Sequence, residues 1–145
     1  MTLSDWLNND WIVKHEPSKR EIADLLGVAD RDLADAQVPG LSADGKFRFA
    51  YNAVLQIATA ALAAEGYRSA REAHHYRTLQ SLAFTMKTEE SLIILIDESR
   101  KKRNIAGYER SGTVSDSEVE EVTALAIGLR KDFNVWIKAH HADLI

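Results

Sequence analysis

The segment that most restricts the fold is FRFAYNAVLQIATAALAA, Phe47 to Ala64, which carries one charge, Arg48, and many alanines. A helix of that composition lacks the polar face with which a surface helix meets water. It must be covered on both sides by other elements. Its least apolar side holds Arg48, Asn52, Gln56 and Thr59 at steps of four, four and three. Such a stripe either lines a polar site or a subunit contact, or finds its hydrogen bonds locally.

The neighbours needed to cover it are legible around it. Proline occurs only at Pro17 and Pro39, so long helices are allowed between the breaks. SKRE (Ser18 to Glu21) and SDSE (Ser115 to Glu118) have capping-box spacing and mark helix starts. The pattern predicts helices at about 4–13, 19–37, 43–65, 73–84, from after Thr88 toward Asn104, and 116–140, with Gly66 closing the third. In the last, Val119, Val122, Ala126, Leu129, Phe133, Trp136 and Ile137 form one apolar stripe. Strand-like alternation is absent. The expectation is an all-α antiparallel helical bundle, a single domain over 1–145 with an N-terminal extension over 1–16 and a core over 18–140. Trp6, Trp11 and Trp136 are expected as core or interface anchors, and Asp30, Asp32 and Asp35 as a solvated helix face.

Several functions are excluded or demoted. The longest dense apolar run, SLIILI, spans six residues, far short of the ~20 needed to cross a bilayer. Without cysteine there are no disulfides or thiolate metal sites. The N-terminus lacks the basic and apolar regions of a signal peptide, so a cytoplasmic location is expected. The pairs His74-His75 and His140-His141 point about 100° apart on a helix and lack chelating spacing, so no metal or other cofactor is expected. No glycine-rich phosphate loop or nucleophile elbow is present.

What stands out is RKKRNIAGYERSG, Arg100 to Gly112. This segment nets +4 in a chain that nets −4, which leaves −8 for the remainder. With Leu92 at zero, Leu95, Ile96 and Ile93 fall near about 300°, 40° and 100° and define the buried face of the fifth helix, with Arg103 near 20° and Lys101 near 180°. Arg103 therefore faces inward, where a guanidinium needs an anion such as phosphate, a carboxylate such as Glu65, or an opening to water. A second basic stretch, YRSAREAHHYR, interleaves Arg68, Arg71, His74, His75 and Arg77 with Tyr67 and Tyr76. Cations beside aromatic faces suit phosphates and unstacked bases, and a solvated helix start is the simpler account of them.

RNIAGYERSG, following an apolar helix and preceding VSDSE, resembles the Arg-Asn-x-x-x-His region of HEPN domains. RFAYNAVLQIATAALAAEGYR followed by AHHYRTLQSL is similar to that family's long small-residue helix and the next one. The resemblance runs from about Ser18 to Trp136. It implies a homodimer with two motif segments facing across a cleft, RNA or nucleotide as ligand, and a minimal nucleotidyltransferase as partner. Catalytic members cleave RNA without metal. Arg103 and Asn104 match the motif, and Tyr108 stands where the family has His. A phenol near pKa 10 is a poor base at neutral pH beside an imidazole near 6.5. The family's modified Tyr corresponds here to Arg110. The residues carried forward are Arg103, Asn104 and Tyr108 as the motif, with Arg100, Arg110, Arg71 and His75 as further phosphate or nucleic-acid contacts. Three functions stay open: an RNA- or nucleotide-binding module, a metal-independent ribonuclease using Arg103, and a structural dimer.

Overall fold

The computed structural model describes residues 1–104 and 112–145. Among the described residues, six α-helices and two short strands follow one another: α1 (Leu3–Asn8), β1 (Ile12–Lys14), α2 (Lys19–Asp35), α3 (Ala43–Ala64), β2 (Tyr67–Ser69), α4 (His74–Gln80), α5 (Glu90–Asn104) and α6 (Asp116–His140). The architecture is an all-α helical bundle.

The low-charge segment becomes α3 and is surrounded as its composition demands. It packs against α2 and α6, with α4, α5 and β2 completing the shell. Phe47, Tyr51, Val54, Ile57 and Leu62 and the run Ala60 to Ala64 are all buried. Every member of the predicted α6 stripe is buried too. Ser115 and Glu118 cap that helix reciprocally. At Ser18 only half the capping box forms, because the Glu21 carboxylate is 2.8 Å from His15 Nε2 instead. Gly66 ends α3 at φ +92°, a left-handed geometry that glycine adopts without steric cost.

The expected N-terminal helix over 4–13 is shorter, and the second half is a strand. Asn8, Asn9 and Asp10 are residue types that favour turns over helix interiors, and Asp10 turns left-handed at φ +61°. The β-branched pair Ile12-Val13 then joins β1, which pairs antiparallel with β2 through Ile12 opposite Ser69. Three-residue strands are too short to display alternation. Trp6 and Ile12 close the end of the core on Leu62. The fourth helix also breaks early: after Gln80 it tightens into a 3₁₀ turn at Ser81–Ala83, where Ser81 Oγ donates to the Thr78 carbonyl at 2.6 Å. None of the described helices is long and apolar enough to cross a membrane.

The chain leaving α5 is fastened on both sides of residues 105–111. Lys102 pairs with Glu118 of α6 at 3.4 Å, and the Gly112 amide donates to the Asp44 carboxylate in the first turn of α3 at 2.8 Å.

Candidate functional site

Arg103 lies at the last turn of α5 and half-buried, as its helical phase predicts, while Lys101 points outward with its side chain 65% exposed. The Arg103 guanidinium carbon stands 5.9 Å from the centre of the Tyr51 ring in α3, inside the range of a cation–π contact. Its Nη1 donates to Asn104 Oδ1 at 3.4 Å. Glu65 is not its partner: that carboxylate closes the far end of α3 beside His141 at 3.6 Å, some 20 Å along the helix from Tyr51.

Around Arg103 opens a cavity of about 340 Å³, lined by Arg31 and Asp32 of α2, Arg48, Tyr51 and Asn52 of α3, and Arg103 itself. Among the described residues, the lining holds three arginines and one carboxylate, and Arg31 pairs with that carboxylate. Larger hollows exist elsewhere, about 460 Å³ between α5 and α6 and about 570 Å³ beside α1. The first is mainly apolar and mixes Lys87 with Glu89 and Asp132; the second mixes Lys87 with Glu65. The cavity at Arg103 is distinguished by its arginines.

Its floor is a polar chain that explains half of the α3 stripe. Gln56 Nε2 donates to Asn52 Oδ1 at 3.4 Å, and Asn52 Nδ2 donates to Asp32 Oδ2. Arg31 holds the other Asp32 oxygen at 3.1 Å. Thr59 plays no part, since its hydroxyl donates to its own helix at Leu55 O. Asp32 is 1% exposed, which corrects its expected place on a solvated face. With Ile22 at zero, Asp32 falls near about 280°, beside Leu25 near 300°, on the edge of the α2 apolar stripe. Asp30 does face water and pairs with Arg130 at 2.8 Å.

His75 reaches the same region from α4. Its Nδ1 is 3.2 Å from the Tyr51 hydroxyl. Burial holds the His75 imidazole below its ordinary range, and the cations Arg103, His74 and Arg100 push in the same direction. Burial also pushes the Tyr51 phenol up to about 12, against the opposing pull of Arg103 and Arg100. At neutral pH both groups are therefore uncharged, and they share one proton-donating contact whose direction follows the imidazole tautomer.

The remaining sequence candidates separate. Arg100 turns from the cavity to Asp97 at 2.9 Å and lies 5.3 Å from the Tyr76 ring centre. Arg71 is exposed on the turn before α4. Tyr108 and Arg110 lie outside the described residues. Tyr51, Arg31 and Asp32 were not singled out as site residues. The available signal for Tyr51 was its phase, about 60° from Arg48 on the polar side of α3.

Comparison with known proteins finds no matching family model, no matching curated protein and no matching solved structure.

Proposed function

We propose that this chain is an RNA- or nucleotide-binding module of the cytoplasm whose phosphate site is the cavity at Arg103. One observation carries the reading: Arg31, Arg48 and Arg103, from three different helices, converge on a single cavity in an otherwise acidic protein. Planar guanidiniums match phosphate geometry, and several on one ligand resist competition from single carboxylates. Asp32 suits this role because Arg31 and Asn52 already occupy its oxygens. The HEPN-like motif supports the same residue, since Arg103-Asn104 is the pair the resemblance assigns to phosphate. A homodimer and a minimal nucleotidyltransferase partner belong to this proposal through that resemblance.

The test is binding of labelled single-stranded RNA in chelator. Arg103→Ala and Arg48→Ala are each expected to weaken it about tenfold or more, the scale of a lost charge-assisted hydrogen bond. Wild-type affinity in both variants would move the ligand elsewhere.

A second reading, metal-independent RNA cleavage, is favoured by His75. If its Nδ1–H donates to Tyr51, Nε2 keeps a lone pair able to accept a proton. In that step the RNA 2′-hydroxyl gives its proton to Nε2 and its oxygen attacks the adjacent phosphorus. The bond to the 5′-oxygen breaks, and that oxygen takes a proton from water. The products are a 2′,3′-cyclic phosphate and a 5′-hydroxyl. Cleavage in the same assay, lost in both His75→Ala and Arg103→Ala, is the expected outcome for an enzyme; binding without products retains only the first reading.

A further inference from the structure

A row of cations and aromatic rings runs away from the cavity along α5 and α4 to Trp11, just before β1. One turn before Arg103, Arg100 lies 5.3 Å from the Tyr76 ring centre. Tyr76 in turn lies 5.5 Å from the Arg77 guanidinium carbon, which stacks 3.7 Å from the Trp11 ring centre. Arg68 and Arg71 are exposed on the neighbouring β2 and the turn that follows. Among the described residues, Glu72 beside Arg71 is exposed, and Asp97 is held by Arg100 and Lys101.

Part of this row is structural. Arg77 also lies 5.7 Å from Trp6, so its guanidinium fastens α4 to the N-terminal segment through cation–π contact. Fastening does not require Tyr76 to be exposed. Tyr76 as a residue is 36% exposed, with its ring between two guanidiniums. An aromatic face flanked by cations that lead to an arginine-lined cavity is what an unpaired base and its backbone require.

We propose that single-stranded RNA anchored by a phosphate in the Arg103 cavity continues over α5 onto α4, where an unpaired base stacks on Tyr76 and the adjoining phosphates meet Arg100 and Arg77. This inference rests on the phosphate reading of the cavity and adds the strand's course and its stacking platform. The ligand class follows from the arrangement: stacking needs bases free of a duplex, and the row is too narrow and too local to coat double-stranded nucleic acid.

Fluorescence anisotropy in chelator with labelled oligouridylates of about 2 and about 10 nucleotides tests it, one length below and one within the common single-strand site sizes of about 4–16 nucleotides. Wild type is expected to bind the longer strand more tightly. Tyr76→Ala should weaken the longer strand by about 5- to 100-fold, the effect of losing one stacked base. Tyr76→Phe should restore it, and dinucleotide binding should not change. Should the alanine variant melt early, Tyr76→Leu keeps the apolar bulk without the π face and gives the same contrast with Phe. Affinity independent of length, or length dependence untouched by Tyr76→Ala and Tyr76→Leu, overturns the track while Arg103→Ala still reports on the cavity. If Arg103→Ala also binds both strands normally, the cavity reading falls with it.

Discussion

The two halves of α3 belong to one helix and live in different solvents. From Ile57 to Ala64 it is alanine, isoleucine and leucine with Thr59, and Thr59 satisfies itself on the helix backbone. From Ala43 to Gln56 it carries Asp44, Lys46, Arg48, Asn52 and Gln56. The difference lies in what the neighbours bring. Around the second half α2 and α6 supply apolar side chains such as Ile22, Phe133 and Ile137. Around the first half α2, α4 and α5 supply Asp32, His75 and Arg103, while α6 still brings the apolar Val119 and Val122. A central helix can thus hold charged and amide side chains where its neighbours open a cavity or donate partners, while a hydroxyl such as Thr59 can be satisfied on the helix backbone itself.

Substitutions should separate the halves. Ile57→Ala removes a fully buried side chain and is expected to cost about 2–5 kcal/mol by urea unfolding. Arg48→Ala in the exposed part of the first half should cost less than about 0.5 kcal/mol while weakening RNA binding. Equal destabilisation by the two would erase the contrast. At the boundary, Asp32→Ala removes the acceptor of the Asn52 amide and should cost about 1–3 kcal/mol, with Asp32→Asn recovering part of it.

Titration sharpens the same contrast. The Tyr51 phenol is raised from 10.0 to about 12 in the folded protein. The fold binds that proton more tightly than the unfolded chain does, so the stability it contributes is complete below pH 10 and is lost as pH rises toward 12. Tyr51→Phe should flatten that alkaline loss. His75 is lowered from 6.5. Its contribution is complete above 6.5 and is lost as pH falls below it, so His75→Gln should reduce the acid loss of stability in thermal melts. A pH profile unchanged by either substitution would remove both groups from the buried pair.

Which parts of this were legible in the sequence follows from the range of the forces involved. The α6 stripe and the inward phase of Arg103 are properties of one helix, and a period of 3.6 residues reveals them. The length of α1 depended on Asn8, Asn9 and Asp10 together with a pairing partner more than fifty residues away at Ser69, which no local pattern announces. The burial of Asp32 was half legible: its phase beside Leu25 placed it at the stripe edge, but the amide that makes burial tolerable comes from α3. Glu65 was a reasonable anion for Arg103 by charge alone. The position of Arg103 along α3 is set by how α5 packs on that helix, and the residue facing it there is Tyr51. His75 entered as one of two adjacent histidines, and only the packing of α4 on α3 distinguishes it from His74.

The account depends most on Arg103 being different from the other cations of α5. Lys101 and Arg103 carry the same charge two residues apart and face opposite ways, so replacing each by alanine changes the net charge equally. The deciding measurement is the affinity of Arg103→Ala and Lys101→Ala for one labelled single-stranded RNA across a salt series. The account predicts a loss of about tenfold or more for Arg103→Ala and less than about twofold for Lys101→Ala. Equal losses that vanish together as salt rises would reduce the interaction to unspecific attraction and contradict a phosphate site at Arg103.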